Sequence, residues 1–340
     1  MKILLTGNEG YIGAILSDAL LNEGFDAVGY DTGFYNRGSL YTGPKKLKRT
    51  IRKDIRDIEE KDMEGIDTVI HLAELSNDPL GQNNPELTYL INHEGTKKLI
   101  DVCKKSGVSR FIYFSSCSVY GANDEYVDED SETHPLTMYA KCKVLNENYL
   151  LKNSDSHFSP IIFRNATVYG ASPRMRFDLA VNNLAGVAFT THEIKMESDG
   201  TAWRPFVHIQ DVSRAVIAAL KTPSEITHNQ IINIGSKKGN YQIKSIAEII
   251  SEVFPKCRIT KNLAQVDKRN YKVHFEKAEK LLTRFSCSWT LEKGIIELFD
   301  RFNTIHLTKT DFYSSSYTRL AEISHLKKEG KLDNTLFWRN

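Results

Sequence analysis

The sequence predicts an α/β protein built on a doubly wound parallel sheet, with a smaller C-terminal substrate domain. Three observations carry this: strand-like and helix-like segments alternate through the first half, a glycine loop joins the first strand to the first helix, and the regularity loosens after about Gly170. Lys2–Thr6 reads as the opening strand, Ile12–Asn22 as the first helix and Ala27–Tyr30 as the second strand, with a further strand before Asp54. Thr68–Ala73, which contains VIHLA, is apolar enough for a buried strand. Leu87–Ser106 has the period of a long amphipathic helix, and the strand Arg110–Ser115 follows. Thr137 is placed to cap the helix that carries Tyr139 and Lys143, and Ser159–Arg164 is the next strand.

In the second half, Pro173–Asn183 is rich in Arg and Asn and has no clear strand period. A strand around Phe206–His208, a helix Asp211–Lys221, a strand Ile231–Gly235 and a helix Ile243–Val253 come after it. From Phe312 onward the chain reads as a loop and one amphipathic helix, a packing arm. The expected division is residues 1–170 as the sheet domain, to which the chain returns within about 204–235, residues 171–311 as the substrate domain, and residues 312–340 as a helical extension.

With 45 basic and 43 acidic residues the net charge is +2, which gives no reason to expect a nucleic-acid or membrane partner. The basic run Lys45-Lys46-Leu47-Lys48-Arg49 reads as a solvated loop. The five cysteines are odd in number and form no CxxC pair, which argues against a disulfide framework or a metal site. The chain opens directly on KILLTG with no apolar leader, and the expectation is a cytoplasmic protein.

Gly7, Gly10 and Gly13, with Tyr11 and Ile12 among them, follow a strand and open a helix. Glycine suits a tight turn, close approach of backbone to a pyrophosphate, and tight helix–sheet contact. The helix N-terminus then offers free N–H groups to phosphates, which marks the fold as Rossmann-type. The spacing is three and three, where GxGxxG has two and three. Asp31 ends the second strand, where a carboxylate accepts from both ribose hydroxyls and repels a 2′-phosphate, selecting NAD over NADP. The alternative is an Asp serving only the turn DTG. Arg37 is the nearby cation that would rescue NADP. Asp54 and Ile55 are placed for the adenine edge, and Leu72 and Ala73 close another strand at the same edge.

Tyr139 and Lys143 lie four apart on one helix face, 23 residues beyond Ser116. A free tyrosine has a pKa near 10, and an adjacent ammonium favours its phenolate. Ser116 sits at the C-terminal end of a strand, where its hydroxyl can donate to a substrate oxygen while Tyr139 moves the proton. Lys143 can also hold the nicotinamide ribose. These three are the expected catalytic residues, for hydride chemistry on an alcohol or ketone.

TGNEGYIG, Asp31, VIHLA, SSCSVYG and YAKCK resemble the extended short-chain dehydrogenase/reductase superfamily, and more narrowly the NAD-dependent epimerase/dehydratase family of nucleotide sugars. The resemblance implies tightly held NAD, a nucleoside-diphosphate sugar substrate, and oxidation at sugar carbon 4 to a transient ketone. It places Arg204 near the nucleotide, Arg269 on the pyrophosphate, and Asn183-Leu184 against nucleotide or sugar. A surface salt bridge for either arginine and a helix start for Asn183 are the plainer readings. It also implies a homodimer in which the helices Leu87–Ser106 and that of Tyr139 pair through Leu90, Leu99, Val144 and Leu150.

Three departures bear on the outcome. Hexose 4,6-dehydratases carry an Asp-Glu pair after the catalytic hydroxyl residue, and here Cys117 and Ser118 occupy those substrate-facing positions. Relatives have Asn where Thr167 stands, while Asn165 lies two residues earlier. Glu74 replaces a small residue after HLA and is expected to point to water. Ser76-Asn77-Asp78 is a polar cluster for sugar hydroxyls or a helix cap. The expected reaction is carbon-4 epimerisation. A 4-dehydrogenase, a 4-ketosugar reductase or a 4,6-dehydratase is the alternative, and a non-enzymatic NAD sensor is the remote one, since it would not need Ser116, Tyr139 and Lys143 together.

Overall fold

Val69, Ile70, Phe111, Ile112, Ile161 and Ile162 are all fully buried, which explains why the central strands read as continuous apolar runs. The computed structural model describes residues 1–76, 84–262 and 269–339. In chain order the strands are β1 (Lys2–Thr6), β2 (Asp26–Asp31), β3 (Thr50–Arg52), β4 (Thr68–His71), β5 (Arg110–Ser116), β6 (Tyr126–Val127), β7 (Ser159–Asn165), β8 (Thr167–Tyr169), β9 (Glu193–Met196), β10 (Trp203–His208), β11 (Gln230–Ile234), β12 (Asn240–Gln242), β13 (Arg258–Lys261) and β14 (Lys272–Val273). The main sheet is Rossmann-type, with order β11-β7-β5-β4-β1-β2-β3 and every pairing parallel. Successive residues face opposite sides. Ile3, Leu5, Ile70 and Ile112 enter one core, and Leu4, Val69 and Phe111 enter the other.

The chain leaves β1 for β2 on one side and β4 on the other, so the strand order reverses between β1 and β4. Ligands collect in the crevice at such a switch point, beyond the carboxyl ends of the strands. β11 adds to the outer edge beside β7, while β8, β10 and β12 form a separate small sheet.

Several elements differ from the sequence reading. β4 ends at His71: the Leu72 N–H is shared between the Thr6 carbonyl at 3.2 Å and Thr6 Oγ1 at 3.1 Å, and the Ala73 N–H turns to Thr6 Oγ1 at 3.2 Å. The long helix is interrupted: Pro85–Tyr89 leads into a wide π turn, Leu90–Glu94, before Gly95–Lys105. The helix start that is the plainer reading of Asn183 is present, three residues earlier: a helix spans Ala180–Thr191 within and after the Arg- and Asn-rich segment. Leu99 and Leu150 are fully buried within their own subunit, so they do not belong to an outer face, and Val144 packs partly against the core. Leu90 is exposed.

Candidate active site

One cavity of about 630 Å³ opens along the carboxyl edge of the sheet. Register brings its parts together: Thr6 lies beside both Tyr30 and His71, His71 beside Tyr113, and Ser116 beside Asn165. Gly7, Gly10, Tyr11, Ile12 and Gly13 form one wall. Gly7 has φ +72°, a conformation that favours glycine. A Cβ on Gly13 would lie 2.1 Å from the Gly7 oxygen, so only glycine lets the loop close onto the helix. Tyr11 turns its hydroxyl inward to donate to the Gly170 carbonyl at 2.7 Å. The helix Tyr11–Asn22 has no side-chain cap, and its first-turn N–H groups are left for an anion.

At the adenosine end, Asp31 accepts from the N–H of Glu9 at 3.0 Å and of Gly33 at 2.8 Å. The nearby cation is Arg52, not Arg37. Arg52 holds both carboxylate oxygens of Glu9, whereas Arg37 lies 3.6 Å from Glu322. The sequence reading missed Arg52 because β3 brings it alongside Asp31 from 21 residues away. Asp54 and Ile55 line the cavity, and the Asp54 carboxylate is oriented by Arg56. The glycine cradle, the uncapped helix and the Asp31 carboxylate together fit NAD. The protein is expected to bind NAD tenfold or more better than NADP, since setting a phosphate against a carboxylate costs at least about 1.4 kcal/mol. Asp31→Ala should narrow the gap. Calorimetry finding NADP preferred by the unaltered protein would refute the ribose assignment.

Ser116, Tyr139 and Lys143 line the same cavity, with Leu72 and Ala73 between them and the glycine loop. Thr137 caps the helix Met138–Asn153 by accepting from the Ala140 N–H at 3.2 Å. The Lys143 ammonium lies 5.4 Å from the centre of the Tyr139 ring. It donates to the Phe114 carbonyl and lies 2.6 Å from Glu74 Oε2. Glu74 therefore does not point to water. Its side chain is only 2% exposed, and its other oxygen accepts from the Tyr113 hydroxyl at 2.8 Å. Asn146 in turn donates to the Tyr113 hydroxyl, also at 2.8 Å. Burial alone would lower the Lys143 ammonium, but the Glu74 carboxylate, with Tyr139 and Cys142 nearby, offsets it and the net direction is up. An ammonium has three donors. The Phe114 carbonyl engages one, and Glu74 holds the ammonium at ion-pair distance with no hydrogen bond at Oε2 among the described residues, so donor capacity remains for a ligand. His71 bonds Thr6 and Thr96, and burial followed by the Lys143 charge pulls its pKa down to about 3. It is a neutral structural group.

The opposite wall holds Ser76, Ser118, Asn165, Thr167, Asn183, Leu184, Arg204 and Arg269. Ser118 Oγ is buried with no hydrogen-bond partner among the described residues, as expected of a group awaiting a ligand. Asn183 occupies the first turn of Ala180–Thr191 and donates to the Phe177 carbonyl at 2.8 Å. Arg204 lies over the Tyr271 ring at 5.5 Å. Cys117 is a correction. The short 3₁₀ turn after β5 sends its thiol into the core, where it donates to the Arg164 carbonyl at 3.2 Å. Asn77 lies outside the described residues. Two buried cations on the wall were not anticipated. Arg176 holds Asp178 and donates to Ser76 Oγ at 3.0 Å, and Arg319 comes from the C-terminal extension. An arginine-rich loop was visible in the sequence, but which arginine turns inward was not.

The family model for the NAD dependent epimerase/dehydratase family matches residues 3–235. The UDP-glucuronate 4-epimerase of Thermodesulfobacterium geofontis is 29% identical over 311 residues, which is 86% of this chain and 92% of that protein. Among solved structures, the UDP-glucuronic acid 4-epimerase from Bacillus cereus, in complex with UDP-glucuronic acid and NAD, is 28% identical with a TM-score of 0.75, covering 90% of this chain and all of that one. An NAD-dependent NDP-hexosamine 5,6-dehydratase involved in tunicamycin biosynthesis is 25% identical with a TM-score of 0.78, covering 89% and 98%.

Proposed function

This chain belongs to the NAD-dependent epimerase/dehydratase family, and we propose that it is a nucleotide-sugar epimerase acting through oxidation at sugar carbon 4 to a transient ketone. The observation that carries this reading is one cavity in which Ser116, Tyr139 and Lys143 meet the glycine loop. NAD, when bound, supplies the acceptor that takes hydrogen from carbon 4 and returns it. Tyr139 withdraws the proton from the carbon-4 hydroxyl as base and returns it as acid. Ser116 donates to the same oxygen and holds it during transfer. Lys143 donates a remaining N–H to the nicotinamide ribose. Arg204 and Arg269 take the nucleotide diphosphate, with forks that match phosphate geometry. Residues 171–311, apart from β11, are then the half that holds the nucleotide sugar.

Epimerisation is favoured over dehydration by what the carboxylates do. Loss of water from a 4-ketosugar needs a base at carbon 5 and a proton donor at the leaving hydroxyl. The two positions after Ser116 carry a core-facing thiol and a hydroxyl. Glu74, the unusual carboxylate at this edge, is engaged by Lys143 and Tyr113. A product of unchanged mass, inverted at carbon 4, is expected from a panel that starts with UDP-glucuronic acid and UDP-glucose. Mass spectrometry and NMR decide. Loss of 18 Da would mean a dehydratase, and loss of 2 Da with stoichiometric consumption of added NAD a dehydrogenase.

We keep the homodimer and the cytoplasm as part of the same reading. Tyr89, Leu90 and Leu145 are exposed on the two helices expected to pair. Among the described residues no helix is long and apolar enough to cross a membrane.

A further inference from the structure

Residues beyond the family match reach back to the cofactor end of the cavity. Phe312 packs on Phe177, ring centres 4.7 Å apart, and the Tyr317 carbonyl accepts from the Phe177 N–H at 2.9 Å. The helix Arg319–Lys328 then turns Arg319, Glu322, Ile323 and Leu326 inward. Ile323 and Leu326 join the core cluster of Tyr30, Phe34 and Ile55. Past the helix, Trp338 Nε1 donates to the Thr32 carbonyl at 2.8 Å and its ring tilts against Phe34 at 5.8 Å. Arg56 stacks over Phe337 at 3.8 Å and donates to the Thr335 carbonyl at 2.8 Å. The tail is thus fastened at one end to the second half and at the other to the residues that follow Asp31 and Asp54.

Arg319 is the residue this strap delivers to the cavity wall. It is 4% exposed, and its guanidinium lies 3.8 Å from the centre of the Tyr35 ring. Among the described residues no carboxylate lies within ion-pair distance of it. Its helix neighbour Glu322 faces Arg37 and accepts from Ser315 instead. Burial pulls Arg319 down to about 10, which leaves it charged at neutral pH. Asp178 and Asp31 act on it only from beyond contact distance, and the Arg176 charge opposes them. A buried cation with no carboxylate in contact is costly, and the cavity it faces has the uncapped helix N-terminus on another wall.

We propose that Arg319 is the counter-charge for the diphosphate of the bound dinucleotide, and that the strap carrying it keeps that cofactor from exchanging. This rests on the reading that the cavity binds NAD.

The test is calorimetry of the full chain, freed of bound nucleotide, with NAD, NADP, ADP-ribose, UDP and adenosine. Arg319→Met should weaken NAD and ADP-ribose by about 10- to 100-fold, the worth of a charge-assisted contact, while adenosine is unchanged. Arg319→Lys should recover most of the loss. Trp338→Ala should speed release of radiolabelled NAD into excess unlabelled NAD. Equal loss of NAD, ADP-ribose and adenosine in an Arg319→Met protein that unfolds like its parent would give Arg319 a role in shaping the pocket and overturn the assignment, as would no loss. Weakened UDP with NAD untouched would give the cation to the substrate, and weakened NADP alone would give it to a 2′-phosphate. Either overturns the proposal. An unaltered protein that binds neither NAD nor ADP-ribose would overturn the premise, and the proposal with it.

Discussion

Tyr139→Phe is expected to lose about 10²- to 10⁴-fold in turnover while still folding and binding NAD. The substitution removes one oxygen. The helix keeps its Thr137 cap, and a phenyl ring keeps the same contact with the Lys143 ammonium. What goes is the atom that carries the proton to and from the carbon-4 oxygen. Ser116 cannot replace it, because a serine hydroxyl donates without a base to recharge it. Steady-state rates on a verified nucleotide sugar, beside an NAD titration of the same preparation, make the check. A near-normal rate would remove Tyr139 from the mechanism.

Lys143→Met is expected to lower stability by about 3–5 kcal/mol in addition to abolishing turnover, because it leaves Glu74 buried with its charge uncompensated. The deficit should depend on pH with a definite sign. Burial pushes the Glu74 carboxyl above its ordinary value, and removing Lys143 takes away the charge that opposes this. A carboxyl whose folded pKa is raised costs stability between its ordinary value and the raised one, so the deficit should grow as pH rises across that interval, level off above it and fade on acidification. Adding Glu74→Gln to Lys143→Met should restore most of the stability at neutral pH and none of the activity. Denaturant titrations of the parent and both variants at several pH values decide the matter. A Lys143→Met protein as stable as its parent at neutral pH would mean that the pair does not bear on the fold.

The sheet and the cofactor wall were legible because their signals are local. A glycine loop between strand and helix, Asp31 at a strand end and Tyr139 four residues before Lys143 each lie within one short stretch of chain. The features that escaped depend on distant partners or on burial all round. Glu74 takes its character from Tyr113, Lys143 and Asn146, which the neighbouring strand and the Met138–Asn153 helix supply. Of the helix Ala180–Thr191 only a start at Asn183 was legible, because it buries Val181, Asn182, Leu184, Ala185, Gly186, Val187 and Ala188 and has no broad polar face to give it a period. Leu99 and Leu150 lie on helices that could present them either way, and only packing against the sheet fixes the inward choice. Arg319 gives no local sign at all, since it sits in a helix whose inward row mixes charged and apolar residues.

The place of β11 at the sheet edge has a consequence for how the chain is made. β7 buries all seven of its residues, partly under a neighbour that begins only at Gln230, 65 residues after β7 ends at Asn165. During synthesis at about 5–20 residues per second, that neighbour is missing for roughly 3–13 s after β7 has formed. For that interval the nascent sheet presents an apolar strand with an open row of N–H and C=O groups, the kind of edge that recruits other chains. On the ribosome, β7 is therefore where a holding chaperone has most to protect, and where crowded polysomes expose this protein most to aggregation.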